Sequence, residues 1–295
     1  MKAEYLIITG IKSFLAVQNF MMEIKPNHHA KAFVTCFVEK ELPYDILNNQ
    51  IISIFYQKKE EQILLYRGTV QRFIQRKKGK QIEIDLYLLS ASIHLDQKKN
   101  TRTFQNIEQS YETMLKSILN SYSESDVLFA MSDNKGQSIQ DLIIQYQETD
   151  WEFCKRIASH FHSVLIPDIK TGNPKFYLGF PISTFAKEEF SSYTLFIDKR
   201  YYKNREYISF KEQFVFYQVE SEQYYPIGTQ IIFYKRTLFI LSLTAKMIGG
   251  TIRFFYEIGL PDLYYMEKYY NRDLIGAAFM GTVIEREEGF VKVVF

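Results

Sequence analysis

The chain has 295 residues, enough for two or three domains and a sizeable core, and its 46% hydrophobic and 24% charged content is ordinary for a soluble globular protein. A formal net charge of +2 excludes a general affinity for polyanions, so nucleic acid or an anionic membrane would need a local patch. Two cysteines, Cys36 and Cys154, exclude a disulfide framework and a four-cysteine zinc site.

Tyr 22 and Phe 25 against Gly 13 and Pro 7 favour strands, because flat rings pack well on a pleated, half-buried surface. The opening "MKAEYLIITGIKSF" carries only a short apolar run, broken by Thr9 and Gly10. It is too short for a signal core or a membrane span, so the expectation is a chain made in the cytoplasm without a cleaved signal. "EYLIITGI", "QIISIFY" (50–56) and the long run at 62–90 read as strands. Ile82, Ile84, Leu86 and Leu88 alternate with Gln81, Glu83, Asp85 and Tyr87, the period of a strand with one buried face. "RKKGK" (76–80) reads as a polar hairpin turn.

A helix follows. Ile107, Tyr111, Met114, Leu115, Ile118, Leu119 and Tyr122 recur at three- and four-residue spacing, and Asn106 with Gln109 suits a capping box. At "IIQYQETDWEFCKRIASHF" (143–161) a strand-like run turns into a second helix. Thr149 can cap it while Glu152 reaches back; Cys154, Ile157, Ala158 and Phe161 form its apolar stripe, and Trp151 anchors the joint. After 166–176 strands return, with 199–207 ("KRYYKNREY") as an exposed connection. The stretch 229–258 repeats the order of 49–89: a Gln-Ile-Ile strand, a charged turn, a long apolar strand, a second turn, and a closing alternating strand. Residue by residue the match is weak, but the order suggests two similar β-domains flanking a helical insert.

No GxSxG, HExxH, GxxxxGK[ST] or GxGxxG is present. His160 and His162 are two apart at a helix end, a poor metal spacing even with Cys154 nearby, and His28 and His29 read as an exposed turn. Asp150 and Glu152 lie on different sides of one helical turn, unsuited to a paired acid and base. The expectation is no catalytic residue, no cofactor and no metal. "RFIQRKKGK", "DQKKNTR" and "KRYYKNREY" read as solvated turns. The last interleaves Tyr with Lys and Arg, so the competing reading is a binding module for glycan or single-stranded nucleic acid acting through Arg200, Lys203 and Arg205. A cell-wall glycan hydrolase would need a carboxylate pair that cannot be found.

Two stretches carry a resemblance. Arg102, Phe104 and Gln105 precede the first helix, and Gln145, Tyr146, Glu148, Thr149, Asp150, Trp151, Phe153 and Arg156 span the strand–helix joint. Together they resemble the VgrG and phage late-control protein D family, baseplate hub proteins of contractile tails and injection systems. The similarity runs in order along most of the chain and is specific across residues 95 to 168. It implies an α+β, mainly β fold with two similar β-barrel tube domains and a mixed insert. The first barrel would span 1–98, the insert 99–206 and the second barrel 207–258. Residues 259–295 would hold a linker and the first strands of an OB-like domain, which "AAFMGTVIEREEGFVKVVF" resembles. The resemblance further implies a homotrimer that adapts a sixfold tail tube to a threefold spike. The partners would be the tube protein, a spike or OB-needle protein or domain, and other baseplate proteins, with no membrane insertion and no nucleic acid. The named motif residues would be structural. Phe214, Phe216, Phe233, Phe239, Phe254 and Phe255 should supply core and trimer contacts, within an assembled tail or injection particle.

Overall fold

A computed structural model describes residues 5–48, 50–130, 135–197 and 215–294. The strands of the first third are β1 (Tyr5–Thr9), β2 (Phe14–Ile24), β3 (Lys31–Val38), β4 (Ile51–Lys58), β5 (Glu61–Lys78) and β6 (Gln81–Leu89). An insert follows, with β7 (Lys99–Phe104), α1 (Tyr111–Leu119), β8 (Asp126–Phe129), β9 (Ile143–Thr149), α2 (Asp150–His160), β10 (Leu165–Pro167) and β11 (Lys175–Leu178). The last third carries β12 (Phe185–Ala186), β13 (Tyr193–Ile197), β14 (Val215–Ser221), β15 (Gln230–Phe233), β16 (Arg236–Ile248) and β17 (Thr251–Gly259), then the hairpin β18 (Thr282–Glu287) and β19 (Phe290–Val294). Strand makes up 51% of the chain and helix 14%, so the fold is α+β and mainly β.

The sequence repeat is a repeat of topology. In the first third the strands pair in the order β1-β4-β5-β6-β3-β2, and in the last third in the order β12-β15-β16-β17-β14-β13. The hairpins match in register as well. β5 and β6 pair from Thr69↔Leu89 to Lys78↔Gln81 with a bulge between Val70 and Arg72, and β16 and β17 from Phe239↔Gly259 to Ile248↔Thr251 with a bulge between Ile240 and Ser242. One difference is that β1 meets β4 antiparallel whereas β12 meets β15 parallel. Gly249 and Gly250 both adopt positive φ (58° and 82°), the conformation a tight hairpin turn with matching twist demands.

The two strand sets are not separate bodies. β2 pairs antiparallel with the second half of β16, Leu243 opposite Ile24 through Lys246 opposite Met21, so one 12-stranded sheet runs through both. No closed barrel is detected among the described residues. β12 and β13 precede residue 207 yet belong to this sheet with the last-third strands. The apolar faces of both sets merge into one core, where Phe20, Met22 and Tyr56 meet Leu243, Phe254 and Tyr256. The insert keeps its own core, with Met114, Leu115 and Ile118 of α1 against Trp151, Phe153, Cys154 and Ile157 of α2.

Two details depart from the periodicity reading. α1 starts at Tyr111 and is capped by Ser110, whose hydroxyl accepts the Thr113 amide at 3.1 Å; Asn106 is not the cap. The preceding residues are held elsewhere. The Ile139 amide donates to the Gln109 carbonyl at 3.0 Å and the Gln140 amide to Ile107 at 3.1 Å, so these carbonyls serve a short ladder and Ile107 stays 47% exposed. Of the aromatic residues expected in the core, Phe216, Phe233 and Phe254 are buried, Phe239 and Phe255 half-buried, and Phe214 lies outside the described residues.

Phe254 spans the junction of the two sets, its ring 6.2 Å from Tyr56 and 6.3 Å from Tyr256. Replacing it with Ala should cost about 3–5 kcal/mol, the range for a fully buried Phe. Because the core is shared, urea unfolding followed by circular dichroism should show the whole sheet shifting to lower denaturant together.

Candidate functional site

The motif residues of the sequence converge on a buried polar knot where β7, β9 and α2 meet. β9 runs antiparallel to β7, with Arg102 opposite Gln145, and passes directly into α2. At that joint Thr149 is the N-cap. Its hydroxyl accepts the Glu152 amide at 3.1 Å and the Glu152 carboxylate accepts the Thr149 amide at 2.9 Å, the capping box expected from sequence.

Asp150, fully buried, sits at the centre. Its Oδ1 accepts from Asn100 Nδ2 at 3.0 Å, Arg102 Nη1 at 2.5 Å and Gln145 Nε2 at 2.8 Å; its Oδ2 accepts from the Tyr122 hydroxyl at 2.7 Å. Arg102 Nη1 also donates to Gln145 Oε1 at 2.8 Å. Burial on its own would raise the Asp150 pKa. The hydrogen bonds from Arg102, Gln145 and Tyr122 outweigh it and hold the carboxyl below its ordinary value. Burial and the Asp150 charge push the Tyr122 phenol up, out of the titrating range.

A second buried pair braces the other side of α2. Arg156 donates to both oxygens of Glu148, Nε to Oε1 at 2.7 Å and Nη2 to Oε2 at 2.8 Å, and Nη2 also donates to the Ile144 carbonyl at 2.7 Å. The guanidinium lies over the Phe153 ring at 5.0 Å, and the opposing aromatic neighbour of Phe153 is Phe104 at 5.7 Å. Such a bidentate pair is geometrically specific and meets the cost of burying two charges.

Trp151, at 1% exposure, points away from the knot toward the first strand set, its ring 4.6 Å from His29 and edge-on to Phe176 at 5.7 Å. The His29 ring bridges Ser92 Oγ at 2.8 Å and Asp96 Oδ2 at 3.2 Å, while Asp96 Oδ1 accepts the Thr149 hydroxyl. Burial lowers the His29 pKa against the pull of Asp96. Of the turn read as exposed from sequence, His28 is exposed, whereas His29 clamps the first sheet to the insert, and Asn27 adds a reciprocal pair of hydrogen bonds with the Leu165 backbone at 2.7 and 2.8 Å.

The remaining motif residues face the end of the chain. Tyr146 meets the Phe279 ring at 5.3 Å and accepts Asn271 Nδ2 on its carbonyl at 2.7 Å; Gln105 Nε2 donates to the Val293 carbonyl at 3.2 Å. The structure therefore gathers Arg102, Gln145 and Asp150 into one network, places Glu148, Arg156, Phe153 and Phe104 beside it, ties Thr149 to Glu152 and Asp96, and sends Trp151, Tyr146 and Gln105 to neighbouring segments. Sequence reading missed Asn100, Tyr122, Asp96 and His29. Tyr122 was visible as the last residue of an apolar stripe, but nothing in that pattern marks a phenol aimed at a carboxylate.

Chemically the knot is saturated. Asp150 is surrounded by donors and has no open side from which to reach a substrate. The cleft between the insert and the last third, about 440 Å³, is lined by Phe161, His162, Phe180, Phe239 and Tyr264 and holds one carboxylate, Asp262, where a glycan hydrolase would use two. His162 stacks on Tyr265 at 4.3 Å, whereas His160 lies half-buried against Tyr111 with its pKa lowered by burial to about 4; these two and Cys154 do not converge. Among the described residues no group of three His, Cys, Asp or Glu could hold a metal ion, and no helix is long and apolar enough to cross a membrane. Residues 199–207, with Arg200, Lys203 and Arg205, lie outside the described residues.

Replacing Asp150 with Asn should cost roughly 3 kcal/mol, the scale for breaking a buried ion pair. The native pKa is depressed, so the stabilisation is complete above the ordinary carboxylate range and lost as pH falls through the lower native value. Wild-type stability should accordingly fall more steeply below about pH 4 than that of the Asn variant, read as thermal midpoints across an acid series.

No protein-family model and no curated protein matches the chain in sequence. Solved structures do match in fold. The chain is similar to an Escherichia coli type VI secretion component, itself described as structurally similar to bacteriophage T4 tail proteins gp27 and gp5. The TM-score is 0.64 at 13% identity, over 90% of this chain and 78% of that one. It is similar to a 43 kDa tail protein of prophage MuSo2 from Shewanella oneidensis, with a TM-score of 0.59 at 10% identity over 89% of this chain and 100% of that one. It is also similar to a chain of a Francisella PdpA–VgrG complex, with a TM-score of 0.56 at 10% identity over 96% of this chain and 61% of that one. The fold is the one found in tail proteins of phages and in components of secretion machinery.

Proposed function

We propose that this chain is the structural baseplate hub of a contractile phage tail or contractile injection system, a homotrimeric adaptor between a sixfold tail tube and a threefold spike. The observation that carries the reading is the doubled strand set, β1–β6 and β12–β17, paired in one order and joined edge to edge in a single sheet. Three such chains present six like units around an axis on one face and a threefold platform on the other. The similarity in fold to tail and secretion proteins supports the same reading.

In this role the work is mechanical. The two strand sets form the tube-like domains, the insert, held rigid by its polar knot, is clamped to the first of them at His29, and the motif residues from Arg102 to Arg156 hold shape without performing chemistry. The terminal hairpin β18–β19 lies against Gln105 and begins the side that receives the spike. The partners are further copies of the chain, the tube protein, the spike protein or domain and other baseplate proteins. Sheath contraction drives the assembly through an envelope, which calls for rigidity and no cofactor.

Light scattering of the purified chain, alone and mixed with the tube and spike proteins encoded beside it, tests this. A trimer, or a ring-forming complex with either protein, is the expected result. A chain that stays monomeric in every mixture rejects the adaptor role.

A further inference from the structure

We infer that the exposed edge of β13 is a docking strand for the second half of β5 in another copy of this chain. The inference rests on the adaptor reading above and adds to it the surface and the register. It comes from what one strand set does that the other leaves undone.

β16 has two edge partners in succession. Arg236 to Phe239 pair with β15, and beyond the bulge Leu243 to Lys246 pair with β2. β5 is its counterpart, matched through the bulged hairpin with β6. It pairs with β4 from Glu61 to Thr69, but from Phe73 to Lys78 it has β6 on one side and no strand on the other among the described residues. Segment 41–47 meets the side chains of this stretch: the Leu42 amide donates to Gln75 Oε1 at 2.8 Å, Glu41 pairs with Lys77 at 2.9 Å, and Tyr44 lies 6.5 Å from Phe73. Phe73, Gln75 and Lys77 share one face of the strand, so these contacts cover a face and leave the backbone edge open.

The complementary piece is equally plain. Val34 opposite Leu86 corresponds to Val219 opposite Tyr256, which makes Phe20, Met22 and Ile24 of β2 the counterparts of Tyr193, Leu195 and Ile197 of β13. The β2 residues are 0%, 0% and 2% exposed, because β16 and its core cover them. Their β13 counterparts are 43%, 49% and 57% exposed. Among the described residues β13 pairs on one side only, with β14, and an apolar edge of this kind is a liability unless another strand takes it. Tyr44, 86% exposed beside the free edge of β5, offers apolar cover for the incoming residues.

The pairing inside the chain fixes the register between chains. Ile24↔Leu243, Glu23↔Thr244, Met22↔Ala245 and Met21↔Lys246 transfer to Ile197↔Phe73, Phe196↔Ile74, Leu195↔Gln75 and Thr194↔Arg76. The two edges differ and lie toward opposite ends of the strand path, so the contact is head-to-tail, the kind that the threefold ring of the adaptor reading requires.

Paired cysteines test the register directly. Thr194→Cys with Arg76→Cys should cross-link between copies on mild oxidation, giving a ladder of covalent species that ends at the ring mass. The native cysteines are buried and stay silent. Met21→Cys with Lys246→Cys, the same geometry within one chain, is the positive control and should close without changing mass. Thr194→Cys with Gln75→Cys points to opposite faces and should give roughly tenfold less product. Leu195→Lys with Ile197→Lys alters exposed positions; it should reduce the assembled mass to that of one chain while leaving the far-ultraviolet dichroism and melting point unchanged. An oligomer that ignores the lysines and does not cross-link at Thr194 and Arg76 overturns this surface and leaves the adaptor reading standing. A chain that is monomeric alone and with its tube and spike proteins overturns both.

Discussion

The molecule depends on a short run of backbone hydrogen bonds between β2 and β16. Every buried peptide group needs a partner, and β2 would otherwise end the first strand set with an open edge over a wet apolar face. Pairing with Leu243 to Lys246 closes that edge, lets Met22 and Ile24 join Leu243 and Ala245 in one core, and turns two six-strand sets into a continuous sheet. The orientation of each set then follows from the register of four residue pairs.

The insert is ordered by a different physics. Its helices have their own apolar core, braced by a buried carboxylate with donors from β7, from β9 and from Tyr122 beyond α1; a histidine clamp reaching across from the turn after β2, together with Val164, Ile166 and Ile169 buried in the core of the sheet, joins it to the strands. Buried charges contribute little net stability once desolvation is counted, but they are intolerant of displacement. A network in which Asp150 must satisfy Asn100, Arg102, Gln145 and Tyr122 together admits one arrangement of its elements. The arrangement is rigid, and both oxygens of the carboxylate are committed to donors.

Local features were legible in the sequence because their causes are local. The alternation of Ile82, Ile84, Leu86 and Leu88 reports a strand with one buried face, and Thr149 with Glu152 reports a helix start. The start of α1 was misread because periodicity records which residues could share a face. It does not record that Ile107 and Gln109 are already committed to a ladder with residues 139–140. The repeat was visible as an order of strands, yet the β2–β16 pairing was not, since residues more than two hundred apart in the chain leave no local signature. The knot was recognisable as a set of residue types, but its geometry was not: the donors to Asp150 come from separate stretches, and His29 is far from Trp151 in sequence.

The seam between β2 and β16 also has a consequence for how larger structures could form. Its two edges are tethered by one polypeptide, so each meets the other at an effective concentration set by the chain, independent of how much protein the cell has made. A contact of the same kind between separate chains has no such advantage and forms only as the protein accumulates. In the assembly proposed above, the doubled strand set would divide construction into a step that is complete in every folded molecule and a step that waits on abundance. A chain built this way would be half assembled from the moment it folds, and synthesis level alone would time the remainder.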